Sequence, residues 1–154
     1  MQGVLGTSNI IQVAVIVKDI EATKKKYAEF FGVEAPPTIG AGDFEITQTE
    51  YMGNPAPRAQ CKMAFFNVGD NLSFELIEPN GEKSTWQDFL DEKGEGLHHI
   101  AFGVKGTDNV VAACEKFGMI TTQRGKYGDG SGEYAYLDAT KDLKLFIETL
   151  ESYN

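Results

Sequence analysis

The chain has 154 residues, 42% hydrophobic and 24% charged, as expected of one globular domain large enough to bury roughly 70% of the surface it exposes when unfolded. With 23 acidic against 14 basic residues, its net charge of −9 disfavours nucleic acid and anionic membrane surfaces as partners. No apolar run reaches the ~20 residues a membrane span needs, residues 1–8 lack the basic and apolar regions of a secretory leader, and Cys61 and Cys114 form no C-x-x-C pair. A reducing, cytoplasmic setting with both cysteines buried as small apolar residues is the expectation.

Ile10–Val17, β-branched and nearly all apolar, predicts a strand. Ile11, Val13, Val15 and Val17 share one face, and Gln12, Ala14 and Ile16 the other. Asp19 offers an N-cap to a helix with an apolar stripe of Ile20, Tyr27, Phe30 and Phe31, stopped by Gly32, with Lys24-Lys25-Lys26 on its solvated face. After a loop at Pro36-Pro37, a weaker strand is predicted near Phe44–Tyr51, then a second loop through Gly53-Asn54-Pro55 and Pro57. Lys62–Val68 and Leu72–Ile77 read as a hairpin turning at Gly69-Asp70. Ser84-Thr85-Trp86-Gln87 is a capping box that opens a short helix, 84–92, with Trp86, Phe89 and Leu90 inward. Leu97–Val104 is the next strand, followed by a helix with stripe Val110, Val111, Cys114 and Phe117 that stops at Gly118. Three short strands close the chain, Ile120–Arg124, Glu133–Leu137 and Lys144–Leu150, with a four-glycine loop or lid from Gly125 to Gly132.

The order is βαβββ, a linking helix, then βαβββ. Residues repeat with it: Ile11-Gln12-Val13-Ala14 aligns with His98-His99-Ile100-Ala101, Phe31-Gly32 with Phe117-Gly118, and Phe74-Glu75-Leu76-Ile77-Glu78 with Ile147-Glu148-Thr149-Leu150-Glu151. The chain is therefore read as a single α+β domain, 1–154, built from half-modules 8–80 and 95–152.

The duplication aligns polar residues that strand packing does not require. Gln12 and His99 occupy equivalent places in the first strand of each half, and Glu75 and Glu148 in the last. Each lies opposite the larger apolar side chains, and Ala101 and Gly103 accompany His99, leaving room for a ligand. A lone strand glutamine is more often a hydrogen-bonded edge residue, and a lone strand glutamate a solvated charge. Converging buried carboxylates, however, are costly unless a cation lies among them. An imidazole, two carboxylates and an amide oxygen suit one divalent metal ion, Zn, Ni or Co, with Mn or Fe also compatible. His98 falls on the alternate, helix-facing side and reads as packing or support for its neighbour. Arg58, Arg124, Tyr134 and Tyr136 sit near the expected mouth, where they can hold an anionic substrate or serve as ordinary surface residues.

On these residues, above all Gly94-Glu95-Gly96-Leu97-His98-His99-Ile100-Ala101-Phe102, Phe74–Pro79 and Phe146-Ile147-Glu148, the sequence resembles the vicinal oxygen chelate superfamily of glyoxalase I, methylmalonyl-CoA epimerase, extradiol dioxygenases and bleomycin-resistance proteins. The resemblance runs from about Ile10 to Glu151. It implies two tandem βαβββ modules forming a U-shaped mixed sheet around a metal, with ligands at Gln12, Glu75, His99 and Glu148. It further implies a lyase or isomerase shifting a proton next to a carbonyl, with Glu148 as the base, a thioester or hemithioacetal substrate, and a homodimer. Gln12 stands where epimerases usually carry histidine, and Ala56–Cys61 has no carboxylate where they place a catalytic glutamate. A bleomycin-resistance-type binding protein is the alternative, and an extradiol dioxygenase, which usually carries two histidines and one glutamate, a lesser one.

Overall fold

The structure is a computed structural model and describes residues 2–154; Met1, where the expected 1–154 domain begins, lies outside the described residues. β1 (Ile10–Ile16) leads into α1 (Ile20–Phe31), whose N-cap Asp19 accepts from the Ala22 amide at 3.1 Å and whose chain reverses at Gly32 with φ 71°. A two-residue strand, β2 (Ile39–Gly40), precedes a short helix, α2 (Phe44–Thr47), and a small hairpin of β3 (Glu50–Tyr51) and β4 (Asn54–Pro55). β5 (Cys61–Val68) and β6 (Leu72–Pro79) complete the first half. α3 (Thr85–Lys93) links to β7 (Gly96–Gly103), α4 (Thr107–Phe117), β8 (Ile120–Lys126), β9 (Gly132–Asp138) and β10 (Phe146–Ser152).

All ten strands form one sheet in the order β2-β5-β6-β1-β7-β10-β9-β8-β3-β4. β1 and β7 pair antiparallel at its centre, and each pairs in parallel with the last strand of its own half, β6 or β10. This is the mixed, curled sheet of paired βαβββ units that the sequence predicts. The two helices of the halves cover the outer face. Ile20 and Ala28 pack with Leu76 and Phe66 on one side, and Val111 and Cys114 with Phe102 and Ile147 on the other. Trp86 and Phe89 of α3 join Ala14, Ile16, Cys61, Ile77 and Tyr136 in a third cluster on the inner face. Ser84 caps α3 by accepting from the Gln87 amide at 3.0 Å.

Four expectations are corrected. The strand expected near Phe44–Tyr51 is mostly helix α2, capped by Gln48 at φ 50°, and only Glu50–Tyr51 are extended. Within their own half these residues pair only with β4, and their other edge joins β8 of the second half. They cross the open side of the curl, from β2 at one edge to β3 and β4 against β8 at the other. Phe30 is 81% exposed, because the helix turns it away from the Tyr27–Phe31–Phe74 aromatic cluster. Lys24 is buried instead of solvated, its ammonium held by Thr38 at 2.7 Å and Glu21 at 2.9 Å. The glycine-rich stretch is shorter as a loop than expected: β8 runs through Lys126 and β9 starts at Gly132. Cys61 and Cys114 are buried free thiols, as expected. Among the described residues no helix is long and apolar enough to cross a membrane.

Candidate metal centre

The centre of the sheet carries two rows of side chains on its inner face. In one row Glu75 of β6 and His99 of β7 flank Ala14 of β1; in the next, Gln12 of β1 and Glu148 of β10 flank Ala101 of β7. Ala14 and Ala101 are equivalent positions of the two halves, and both are fully buried. Strands lie ~4.8 Å apart, so a polar side chain on either side of a methyl group can lean over it. A larger residue at either alanine would occupy the space where the four polar groups meet.

The β1–β7 register contains two bulges, and both adjoin this cluster. Ile10 opposes Phe102 and Gln12 opposes Ala101, so Ile11 is an extra residue on β1; Val15 opposes Leu97 and Ala14 opposes His99, so His98 is an extra residue on β7. A bulge adds a residue to one strand and re-aims the side chains beside it. Here each bulged residue immediately precedes a residue of the cluster, Gln12 or His99. The expectation that His98 points away from His99 is corrected for this reason: its ring meets Phe89 of α3, and the bulge also brings it beside the His99 ring, with the two Nδ1 atoms 2.8 Å apart.

The four predicted residues come together within one chain. His99 Nε2 lies 3.0 Å from Glu148 Oε1, 3.7 Å from Glu75 Oε1 and 3.3 Å from Gln12 Oε1. One ligand atom from each of Glu75, His99 and Glu148 falls within 4.8 Å of the others. All are buried. With the Gln12 amide turned over, its nitrogen donates to Glu148 Oε1 at 2.9 Å and Glu75 Oε1 at 3.2 Å; as oriented, its oxygen faces only acceptors. The side-chain amide of Gln12 can thus offer its N–H groups to the carboxylates, and its oxygen is a donor atom of the kind a divalent cation accepts. The residues present therefore fit a divalent cation. Without one, burial and then the charge of Glu148 hold Glu75 well above the usual carboxylate range. Burial raises Glu148 to about 8 and lowers His99 to about 3. Tyr136 opposes Glu148 across β9 and β10, and Trp86 Nε1 donates to the Tyr136 hydroxyl at 3.0 Å.

A cavity of about 580 Å³ opens over the cluster, lined by Gln12, Glu75 and Glu148 at its floor. Met63, Phe65, Trp86 and Leu150 form apolar walls, and Lys126 and Asp129 add the charged groups away from the floor. Its mouth is narrowed where Ala41-Gly42 meets Gly128: a Cβ on Gly42 would lie 2.5 Å from Gly128 Cα. Tyr134 and Tyr136 line this cavity, as expected. Arg58 and Arg124 do not. Arg58 borders a separate recess with Tyr51 and Lys83, because its loop is carried to the far side by the crossing segment. Arg124 is held by Asp108 at 2.7 Å and Glu133 at 3.1 Å. The sequence reading missed Met63 and Phe65, although alternation along β5 places them on the face that opposes Ile77 and Glu75. Nothing in the sequence marks Lys126.

A family model for the glyoxalase/bleomycin resistance protein/dioxygenase superfamily matches residues 11–136. The chain belongs to that superfamily. Among solved structures of similar fold is a hypothetical protein, BH1468 from Bacillus halodurans C-125, 22% identical with TM-score 0.66, covering 96% of this chain and 97% of that one. A variant of the Streptomyces coelicolor methylmalonyl-CoA epimerase in complex with 2-nitronate-propionyl-CoA is 23% identical with TM-score 0.66, over 94% of this chain and 97% of that one. The methylmalonyl-CoA epimerase from Mycobacterium tuberculosis is 18% identical with TM-score 0.66, over 100% and 94%. At these identities the likeness establishes a shared fold. A curated relative, the uncharacterized protein YqjC of Bacillus subtilis (strain 168), is 52% identical over 40 residues, which span 26% of this chain and only 28% of the relative.

Proposed function

We propose that this member of the glyoxalase superfamily is a divalent-metal-dependent lyase or isomerase that moves a proton on the carbon next to the carbonyl of a thioester or hemithioacetal. The observation that carries this reading is the convergence of Gln12, Glu75 and Glu148, at the floor of a largely apolar cavity, on the His99 ring buried beneath it. Those four residues would hold the cation, which supplies a Lewis acid for the substrate's carbonyl oxygen. Zn, Ni or Co suits the donor set best.

The chain's own groups supply the rest. Glu148 is the base: it lines the cavity beside Tyr136, its cross-strand partner. It takes the α-proton from carbon and returns it to substrate, so no external acid is consumed. A 1,2-shift in a hemithioacetal needs one such group. Inversion at a single carbon needs a group on each face, and Glu75 is the other carboxylate at the cavity floor. The apolar walls receive the acyl end and exclude water, and the Lys126 ammonium is placed to meet an anionic part of the substrate. Support for a thioester comes from the similar epimerase structure that holds 2-nitronate-propionyl-CoA.

The test is turnover after reconstitution with Zn²⁺, Ni²⁺ or Co²⁺. Methylmalonyl-CoA in deuterated water is followed by α-hydrogen exchange, and the hemithioacetal of methylglyoxal and glutathione by thioester absorbance. Turnover of either, lost in Glu148→Gln, supports the reading. A wild-type protein that binds metal and exchanges no α-proton on carbonyl thioesters of either class contradicts it.

A further inference from the structure

His98 is fully buried beside the cluster and has a polar atom that its surroundings do not use. Its ring stacks on Phe146 at 4.8 Å between centroids and 22° between planes, and meets Phe89 and Tyr136 edge-on at 5.0 Å and 5.6 Å. This packing fixes the ring. Its Nε2 is buried and has no hydrogen-bond partner among the described residues. A phenylalanine would fill the slot without burying an unmatched nitrogen, which is destabilising. Packing alone does not account for the residue.

The hydrogen bond that His98 does make lies between its Nδ1 and the Nδ1 of His99, at 2.8 Å. Two imidazole nitrogens at that distance share one proton. The rings therefore hold opposite tautomers, one protonated on Nδ1 and the other on Nε2. His99 Nε2 points into the acceptor cluster of Glu75, Glu148 and Gln12. When that nitrogen offers its lone pair to a cation, the proton of His99 is on Nδ1, and His98 must accept it. The proton of His98 is then on the unpartnered Nε2.

We propose that His98 is a positioning residue: it sets the tautomer of His99 and so determines which nitrogen His99 presents to a cation. The bulge is what makes this contact between adjacent residues, since a regular strand would send the two rings to opposite faces. The proposal rests on the metal reading for its consequence, but the tautomer pairing itself is a property of the two rings.

The test uses His98→Phe, which keeps the packing and removes the acceptor, and His98→Asn, whose side-chain oxygen restores an acceptor near the Nδ1 position. Zn²⁺ affinity is measured by chelator competition, and the imidazole tautomers by long-range ¹⁵N–¹H correlation with and without Zn²⁺. We expect opposite tautomers in the two rings of the wild type in both states, with His99 protonated on Nδ1 when Zn²⁺ is bound. We expect affinity ~10–100-fold weaker in His98→Phe and largely recovered in His98→Asn. Wild-type affinity in His98→Phe, or the same tautomer in both wild-type rings, overturns the proposal. A wild type with opposite tautomers but no affinity for Zn²⁺ supports the pairing and counts against the metal reading instead.

Discussion

Between pH 6.5 and 8 the metal-free protein should lose stability as pH rises. Burial raises Glu148 from 4.5 to about 8, so its contribution is fully present below 4.5 and is lost as pH climbs to about 8. His98 and His99 act with the opposite sign. Their ordinary value of 6.5 is lowered by burial, so stability from them falls only when pH drops below 6.5. The histidines' contribution fades over about one pH unit above 6.5, where it offsets up to about 1 kcal/mol of the fall, and beyond that the carboxylates act alone. At ~1.4 kcal/mol per pH unit, Glu148 accounts for about 2 kcal/mol across this window. That corresponds to roughly 4–8 °C in Tm for a chain of this length. Glu75, raised by burial and by Glu148, adds to the fall. The assay is thermal unfolding at pH 6.5, 7.25 and 8 in buffer containing a chelator, for wild type and Glu148→Gln. The variant should lose the Glu148 share of the slope and keep that of Glu75, whose value is raised chiefly by burial, and excess Zn²⁺ should reverse the fall in the wild type, because the bound ligands are deprotonated. A metal-free Tm that stays level or rises from pH 6.5 to 8 would refute the burial of ionisable carboxylates as the controlling term.

Three further outcomes follow from the geometry. Ala101→Val places two methyl groups between Gln12 and Glu148 without touching a ligand, and should weaken Zn²⁺ binding at least ~10-fold by chelator competition while leaving the far-ultraviolet dichroism unchanged. Gly42→Ala forces a Cβ to within 2.5 Å of Gly128 Cα at a φ of +105°; it should cost roughly 1–3 kcal/mol in urea unfolding and change KM more than kcat, since it acts at the cavity mouth. Arg124→Ala removes a half-exposed ion pair outside the cavity, and should cost less than ~1 kcal/mol with turnover unaffected.

Duplication made the architecture and the cluster readable. Each half alone offers one weak polar residue per strand, but Gln12 with His99 and Glu75 with Glu148 reinforce one another through the repeat, and the structure brings all four together. What the sequence concealed lies where local signals compete with tertiary pairing. Period-2 alternation placed His98 away from His99, and a one-residue bulge, invisible to periodicity, reversed that. Phe44–Tyr51 reads as a weak strand because its apolar residues serve a crossing segment, whose short hairpin joins the edge of the other half instead of the sheet of its own. Arg58 and Arg124 lie away from the mouth because that crossing carries the first aside and ion pairs to Asp108 and Glu133 hold the second.

The central claim, that Gln12, Glu75, His99 and Glu148 bind one divalent cation, is tested most directly by metal content. The wild type and His99→Ala would each be equilibrated with Zn²⁺, desalted and analysed by inductively coupled plasma mass spectrometry against protein concentration. The account predicts one equivalent in the wild type and little in His99→Ala, with both proteins folded. Equal occupancy in the two, or none in the wild type, would contradict it.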